Sequence, residues 1–414
     1  MIYDFILFEN LYNVQNHYKD LNNFAILLKK AGYNVAIADA FKEADLCKVE
    51  AVPHIKINIK CPSIFKTLYT YQKKQSGLSK FYYRVRKDYY MYKVLKFLNP
   101  MTSNIYAGSL TLATPIYFVK AFSKNNNYYM WALRSANVLR WQNGIHGFSD
   151  LVSKMLFINL NKYQNLSLLV SNSLIRDEFL IKVGIEERRL ILRPERFVLN
   201  KTTPDEEIVE QKSTLHLLFI GTLRPFKNVE FCMRALEKLN NPDIFYTIAG
   251  RCKRNSDEKY NRFINEMAGS MKNVQRIDRY ISDEEYNALI KKCDFLVLCD
   301  KTQASCASNG TMSEALLAGK PIIAPDFNPF KYEVEKYGVG YLYKYENIDS
   351  LCEVLMLALQ NGAYQFKKQL TAYRNMFLIE NVAKNLADQL KNSSMSSKSV
   401  ISYQEDKESV NKNN

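Results

Sequence analysis

The sequence predicts an α/β chain built of two doubly wound units in tandem, each a parallel sheet covered by helices on both faces. Three observations carry this. Apolar runs of strand length alternate with helical stretches from the first residues to about Leu359, the pattern of successive β-α-β units. The chain has 414 residues, more than one ordinary core organises, so two domains of about 150–200 residues are expected. The alternation stops once, between Asn200 and Ser213, at a polar, acidic stretch (Lys201-Thr-Thr-Pro-Asp-Glu-Glu207) and then restarts. The expected organisation is a basic first domain over residues 1–200, a linker over 201–213, a second domain with its closing helices over 214–390, and a tail over 391–414.

In the first half, Ile2–Phe8 reads as a strand, about Tyr18–Ala31 as a helix closed by Gly32, and Asn34–Ala38 as a strand. Asn104–Ala107 is a short strand, Leu112–Phe122 an apolar helix and Tyr128–Leu133 a strand. Leu166–Ser171 is the last strand there, followed by a helix to Val183 that Gly184 ends. In the second half, strands are expected at Leu215–Ile220, Phe245–Ala249, Phe295–Leu298 and Pro321–Ala324. Helices are expected at Val229–Leu239, Asp283–Lys292, Thr311–Ala318 and Ser350–Leu359. The tail, rich in Ser, Lys and Asn, has too little apolar surface to order itself.

Composition narrows the function classes. No run approaches the roughly 18–20 apolar residues of a membrane span, and Asp4 interrupts the first apolar run, so no secretory signal is expected. Eight scattered cysteines without a C-x-x-C point to a reducing, cytoplasmic setting and to no metal site. The net charge of +15 is divided unevenly: residues 1–200 hold 28 Lys and Arg against 14 Asp and Glu, while 201–414 hold 29 against 28. The first half is therefore expected to face something anionic. Its densest part, Lys66–Lys96, has nine Lys/Arg, one acid (Asp88) and seven Tyr. Interleaved basic and aromatic residues suit a lipid headgroup boundary on the inner face of a membrane. The same composition suits single-stranded nucleic acid, or a helix that packs its tyrosines on the sheet.

Two motifs in the second half carry chemistry. The strand Leu215–Ile220 runs into Gly221-Thr-Leu-Arg224-Pro-Phe-Lys227. Ligands of α/β sheets bind beyond the carboxyl ends of the strands, where two fixed cations would neutralise phosphate; an ordinary solvated turn is the other reading. Further on, Ser308-Asn309-Gly310-Thr311-Met-Ser-Glu314 opens a helix whose amino end is an anion site. Glu314 can accept from two adjacent ribose hydroxyls, but Thr311-x-x-Glu314 also matches a capping box.

In this order within one α/β unit, the motifs resemble the family 4 (group 1) glycosyltransferases of the GT-B fold. The resemblance is carried by Gly221…Arg224…Lys227, Ile248-Ala-Gly250, Ser282-Asp-Glu-Glu-Tyr286…Cys293-Asp294, and Gly310-Thr…Glu314-Ala…Gly319-Lys-Pro321. It implies two Rossmann-like domains facing across a cleft, with a nucleotide sugar of UDP or GDP type on the second domain and the acceptor, a glycan or lipid-linked one, on the first. It implies that Arg224 and Lys227 hold the donor diphosphate, that Gly310 and Thr311 offer backbone N–H groups to it, and that Glu314 binds the ribose. Tyr280 and Ile281 fall where the base-contacting loop of the family lies. Cys306 stands in place of a second carboxylate near the donor sugar, whose contacts Ser308 or Asn309 would take over. Glu9-Asn10-Leu-Tyr12-Asn13 replaces a Gly-rich turn, and Arg134 with Ser135 stands where the family often carries a cleft-facing His.

The slow part of glycosyl transfer is departure of a diphosphate, which cations and a helix end can stabilise without a metal. No Asp-x-Asp occurs in the chain, so a metal-independent transfer with no cofactor is expected, and the resemblance implies that it is a retaining one. His146, in Gly144-Ile-His-Gly147, can polarise an acceptor hydroxyl or serve the fold alone. Cys306 keeps a non-catalytic scaffold open as an alternative, and the basic half keeps nucleic-acid binding open.

Overall fold

A computed structural model describes residues 3–8, 15–39, 52–57, 59, 77–109, 122–123, 125–132, 163–199, 213–252, 257–301 and 309–393. The chain divides into two units, Met1–Glu195 with Ile379–Asn414, and Arg196–Leu378. The first unit contains β1 (Tyr3–Leu7), α1 (Gln15–Lys30), β2 (Val35–Asp39), β3 (His54–Lys56), α2 (Gly77–Leu98), β4 (Thr102–Ser109), β5 (Asn127–Ala132), β6 (Leu166–Val170), α3 (Ser173–Val183) and β7 (Leu190–Leu192). Its strands lie in the order β3-β2-β1-β4-β5-β6-β7 and pair in parallel. All five residues of β6 are buried, as a strand covered on both faces requires. The Asn172 side chain accepts from the Ile175 N–H at the start of α3, and Gly184 ends that helix in the left-handed conformation.

The second unit contains β8 (Leu215–Ile220), α4 (Val229–Leu239), β9 (Ile244–Ala249), α5 (Glu258–Ser270), β10 (Val274–Ile277), α6 (Asp283–Lys292), β11 (Phe295–Val297), α7 (Gly310–Leu317), β12 (Ile322–Pro325), α8 (Phe330–Tyr337), β13 (Gly340–Tyr343), α9 (Ile348–Asn361) and α10 (Lys367–Met376). Its strands lie in the parallel order β10-β9-β8-β11-β12-β13. Helix α4 buries Val229, Cys232, Met233 and Leu236, the i, i+3, i+4, i+7 stripe of a sheet-packed helix. Strands β10 and β13 and helices α5 and α8 were not expected: the two strands have four residues each and α8 eight, while α5, of 13 residues, carries charged and polar residues between its few buried apolar ones. The two strands are each held by a parallel neighbour in the sheet, β10 by β9 and β13 by β12.

One boundary moves. The stretch up to Leu390, expected to close the second domain, belongs from Ile379 onward to the first unit. A helix over 379–393, α11, buries Ile379, Val382, Ala383, Leu386 and Leu390. The Gln389 side chain pairs with the edge strand β7, accepting from Leu192 N–H at 2.7 Å and donating to Leu192 C=O at 3.3 Å. A buried edge needs its backbone groups satisfied, and Gln389 does that for β7. Residues 112–121 of the expected helix over Leu112–Phe122, the linker to residue 212 and the tail from residue 394 lie outside the described residues.

Glu333 on α8 is buried beside Tyr373, with its Oε2 lacking a partner among the described residues. Burial raises its carboxyl from 4.5 to about 7, a rise that the Tyr373 hydrogen bond only reduces. Since the folded value exceeds the unfolded one, the native state is favoured below pH 4.5 and loses about 3 kcal/mol as pH rises to about 7. Denaturant unfolding at about pH 5 and about pH 8 should show this loss in the native chain, and Glu333→Gln should abolish it.

Candidate active site

In each sheet one pair of neighbours is not consecutive in sequence, β1 beside β4 and β8 beside β11. At such a point the connections leave the sheet in opposite directions, opening a crevice past the strand carboxyl ends. In the second unit this crevice holds an open hollow of about 140 Å³. It is walled by the loop Gly221–Lys227, by Leu296–Leu298 at the end of β11, and by Thr311 on α7.

Two glycines shape its floor. Gly221 follows β8 with φ +138°, and Gly250 follows β9 with φ +122°, values costly for any residue with a Cβ. The backbones touch here: Gly221 N–H donates to Ala249 C=O at 3.0 Å and Leu223 N–H to Arg251 C=O at 3.2 Å. Next, Pro225–Lys227 form one turn of 3₁₀ helix, and Asn228 in the left-handed region leads into α4. This turn brings Arg224 and Lys227 to the same hollow.

Their surroundings differ. The Lys227 ammonium donates to Asp300 Oδ1 at 2.8 Å. Arg224 Nε is buried with no acceptor among the described residues. A buried N–H of a charged group left unmade is expensive, and an anion entering the hollow would satisfy it. Phe226 lies between them, its ring 5.9 Å from the Arg224 guanidinium and 5.3 Å from Lys227 Nζ.

On the opposite wall, α7 does not start with a capping box. Asn309 is the N-cap, its side chain accepting from Met312 N–H at 3.1 Å. Thr311 lies inside the helix, and a Cβ on Gly221 would sit 3.8 Å from its Oγ1. Gly310 is the first helical residue. Glu314 is engaged otherwise: Oε1 accepts from Arg196 Nε at 3.0 Å and Oε2 from the Tyr286 hydroxyl at 2.6 Å. Burial and the adjacent Glu314 raise the Tyr286 phenol above its usual range.

The fold thus brings Gly221, Arg224, Lys227 and Thr311 to one hollow, with Asn309 and Gly310 at the start of the same helix. Glu314, Tyr280 and Ile281 are not among its walls. Tyr280 is 65% exposed with the Arg251 guanidinium 5.7 Å from its ring, and Ile281 packs at the core margin. His146, Ser308, Arg134, Ser135, Cys306 and Glu9–Asn13 lie outside the described residues. Sequence reasoning missed Asp300, Arg196 and the role of Tyr286. Asp300 carried a usable signal, being a charge placed just past the apolar run of β11; Arg196 carried none.

Residues 200–375 match a family model described as glycosyl transferases group 1. A glycosyltransferase from Rickettsia africae ESF-5 is similar in structure, with a TM-score of 0.61 at 13% identity over 96% of this chain and 98% of that one. So is Anabaena HepE in complex with UDP-glucose, with a TM-score of 0.62 at 14% identity over 94% of this chain and 99% of that one. The lipopolysaccharide outer core galactosyltransferase WaaB in its apo form gives 0.61 at 16% identity over 93% and 98%. A comparison with curated proteins finds no match.

Proposed function

We propose that this chain, of the GT-B fold and matching the group 1 glycosyl transferase model over residues 200–375, is a glycosyltransferase that moves a sugar from a UDP-type donor to a lipid-linked or polysaccharide acceptor. The observation that carries this is the pair of cations on one loop at the crevice of the second sheet, one with a buried N–H lacking an acceptor among the described residues. UDP is the first choice because HepE, similar in fold, was solved with UDP-glucose and with UDP; GDP is the second.

In this reading Arg224 and Lys227 grip the diphosphate and stabilise its charge as the glycosidic bond breaks, with the amino end of α7 adding its dipole. Cations of the chain do the work that a metal does in other transferases, and the anomeric configuration is retained. The test is a melting-temperature panel of UDP-, GDP- and CMP-sugars, run with and without excess chelator. A bound donor at a hundredfold its Kd should add about 2.7 kcal/mol to native stability, and the rise should survive chelation. Silence from every donor on a folded chain would return it to the scaffold alternative.

For the acceptor side we propose attachment to an anionic membrane face through α2. Among the described residues no helix is long and apolar enough to cross a membrane. One side of α2 is buried through Tyr90, Met91, Val94, Leu95 and Leu98, while Arg86, Tyr89, Lys93, Lys96 and Phe97 are exposed. Lys93 lies over the Tyr89 ring at 4.7 Å and Lys96 over the Tyr92 ring at 4.9 Å. Aromatic rings with cations over them place apolar bodies and positive charge on one face, which supports docking on acidic headgroups. At about 1 kcal/mol per cation, Lys93→Glu with Lys96→Glu should weaken co-sedimentation with phosphatidylglycerol vesicles at least about tenfold and leave donor binding intact. Equal sedimentation of native and variant protein would remove this part of the proposal.

A further inference from the structure

Asp300 is buried at the end of β11, three residues beyond Val297. Oδ1 accepts from Lys227 Nζ at 2.8 Å, whereas Oδ2 is buried without a partner among the described residues. Burial raises the carboxyl, opposed by Lys227. A buried carboxylate bonded through one oxygen is a poor contribution to the fold, so its use has to be sought in what it holds.

What it holds is one side of a double clamp on the cationic loop. Lys301, the next residue, donates its backbone N–H to Phe226 C=O at 2.7 Å and its ammonium to Glu230 Oε1 at 2.9 Å. Glu230 Oε2 accepts a further hydrogen bond from Tyr260. Adjacent residues at one strand end therefore grip an ammonium and a carboxylate three residues apart on the other chain segment, with the charges reversed: 300 with 227, and 301 with 230. A lysine ammonium sits on a flexible four-carbon stem and has three donors. One donor taken by Asp300 fixes the tip, and with about a fifth of the Lys227 side chain still exposed, its other donors remain available on the side of the hollow.

We propose that Asp300 is a positioning residue for the transfer, setting the Lys227 ammonium in place for the donor diphosphate before the donor arrives. The proposal rests on the reading of the hollow as the donor site. The fixed tip spares the ordering that binding would otherwise demand of the lysine. The Lys301–Glu230 clamp remains when Asp300 is removed, so the loop keeps its course.

Calorimetric titration of UDP into the native chain, Asp300→Ala, Asp300→Asn, Lys227→Ala and the double variant tests it. Asp300→Ala should weaken UDP about tenfold, and Asp300→Asn, which keeps an oxygen acceptor, should restore most of that. The double variant should be no weaker than Lys227→Ala alone, because residues acting through one group are not additive. A merely structural carboxylate would change the melting temperature without this coupling or rescue. UDP bound as well or better by Asp300→Ala overturns the proposal, since the carboxylate then only competes with phosphate for the ammonium; additive losses overturn it too. Should the alanine variant not fold, Asp300→Ser, too short to hold Nζ, carries the same expectation. The native titration is read first, with GDP taking the place of UDP throughout if UDP is silent: a native chain that binds neither overturns the donor-site reading itself, whereas native binding with an unaffected variant overturns the positioning role alone.

Discussion

Lys227→Ala and Arg224→Ala should each lower the kcat/KM of sugar transfer by about 10²–10³, roughly 3–4 kcal/mol of transition-state stabilisation. Both side chains reach the hollow from one short turn, and on the proposed reading charge there grows as the nucleotide leaves. The two variants should differ in stability. Removing Lys227 takes from Asp300, already raised by burial, the cation that its Oδ1 is bonded to, so the melting temperature should fall. Removing Arg224 takes away a buried Nε that had no acceptor among the described residues, so the fold should be unharmed. Transfer rates and melting curves on the same preparations check both statements. Native rates in both variants would show that the hollow does not bind the departing group.

Gly250→Ala should cost at least about 4 kcal/mol, among the largest effects of a single methyl group. A Cβ at this position would sit 2.0 Å from the Gly221 carbonyl oxygen and 2.9 Å from its carbon, with φ at +122°. The obstacle is backbone, which cannot rotate aside as a side chain can, so either β8 and β9 part at their ends or the loop bearing Arg224 and Lys227 moves. Loss of donor binding should accompany loss of stability. Gly269→Ala is the control: nothing lies within 4 Å of its added Cβ, and it sits in α5. There the change should be neutral or stabilising by up to about 1 kcal/mol. A Gly250→Ala chain that melts with the native one would mean that the two loops do not touch.

The parts of this site that could be read without a structure are local ones. Gly221, Arg224 and Lys227 follow a buried apolar strand within seven residues, and a glycine after such a run has few other uses. The start of α7 was legible to one residue, although the choice of cap was not. Thr311 and Glu314 have capping-box spacing, yet Asn309 takes the cap because its side chain reaches Met312 N–H first. The Gly184 stop and the bounds of α6, Asp283–Lys292, were equally local. Strands of four residues such as β10 and β13 were illegible because they are too short to show a pattern of their own and are made strands by their sheet neighbours.

Sequence alone determined the α/β class, the break near residue 200, and the loop and helix that border the hollow of the second unit, since each depends on contacts within a turn or two along the chain. Only the tertiary structure decided that Asp300, 73 residues from Lys227, holds its ammonium. It likewise decided that Arg196, 118 residues from Glu314, takes that carboxylate, and that the last helix returns to the first unit. The reason lies in strand order. Placing β8 beside β11 brings distant loops to one crevice, and no periodicity in a one-dimensional sequence encodes which loops those are.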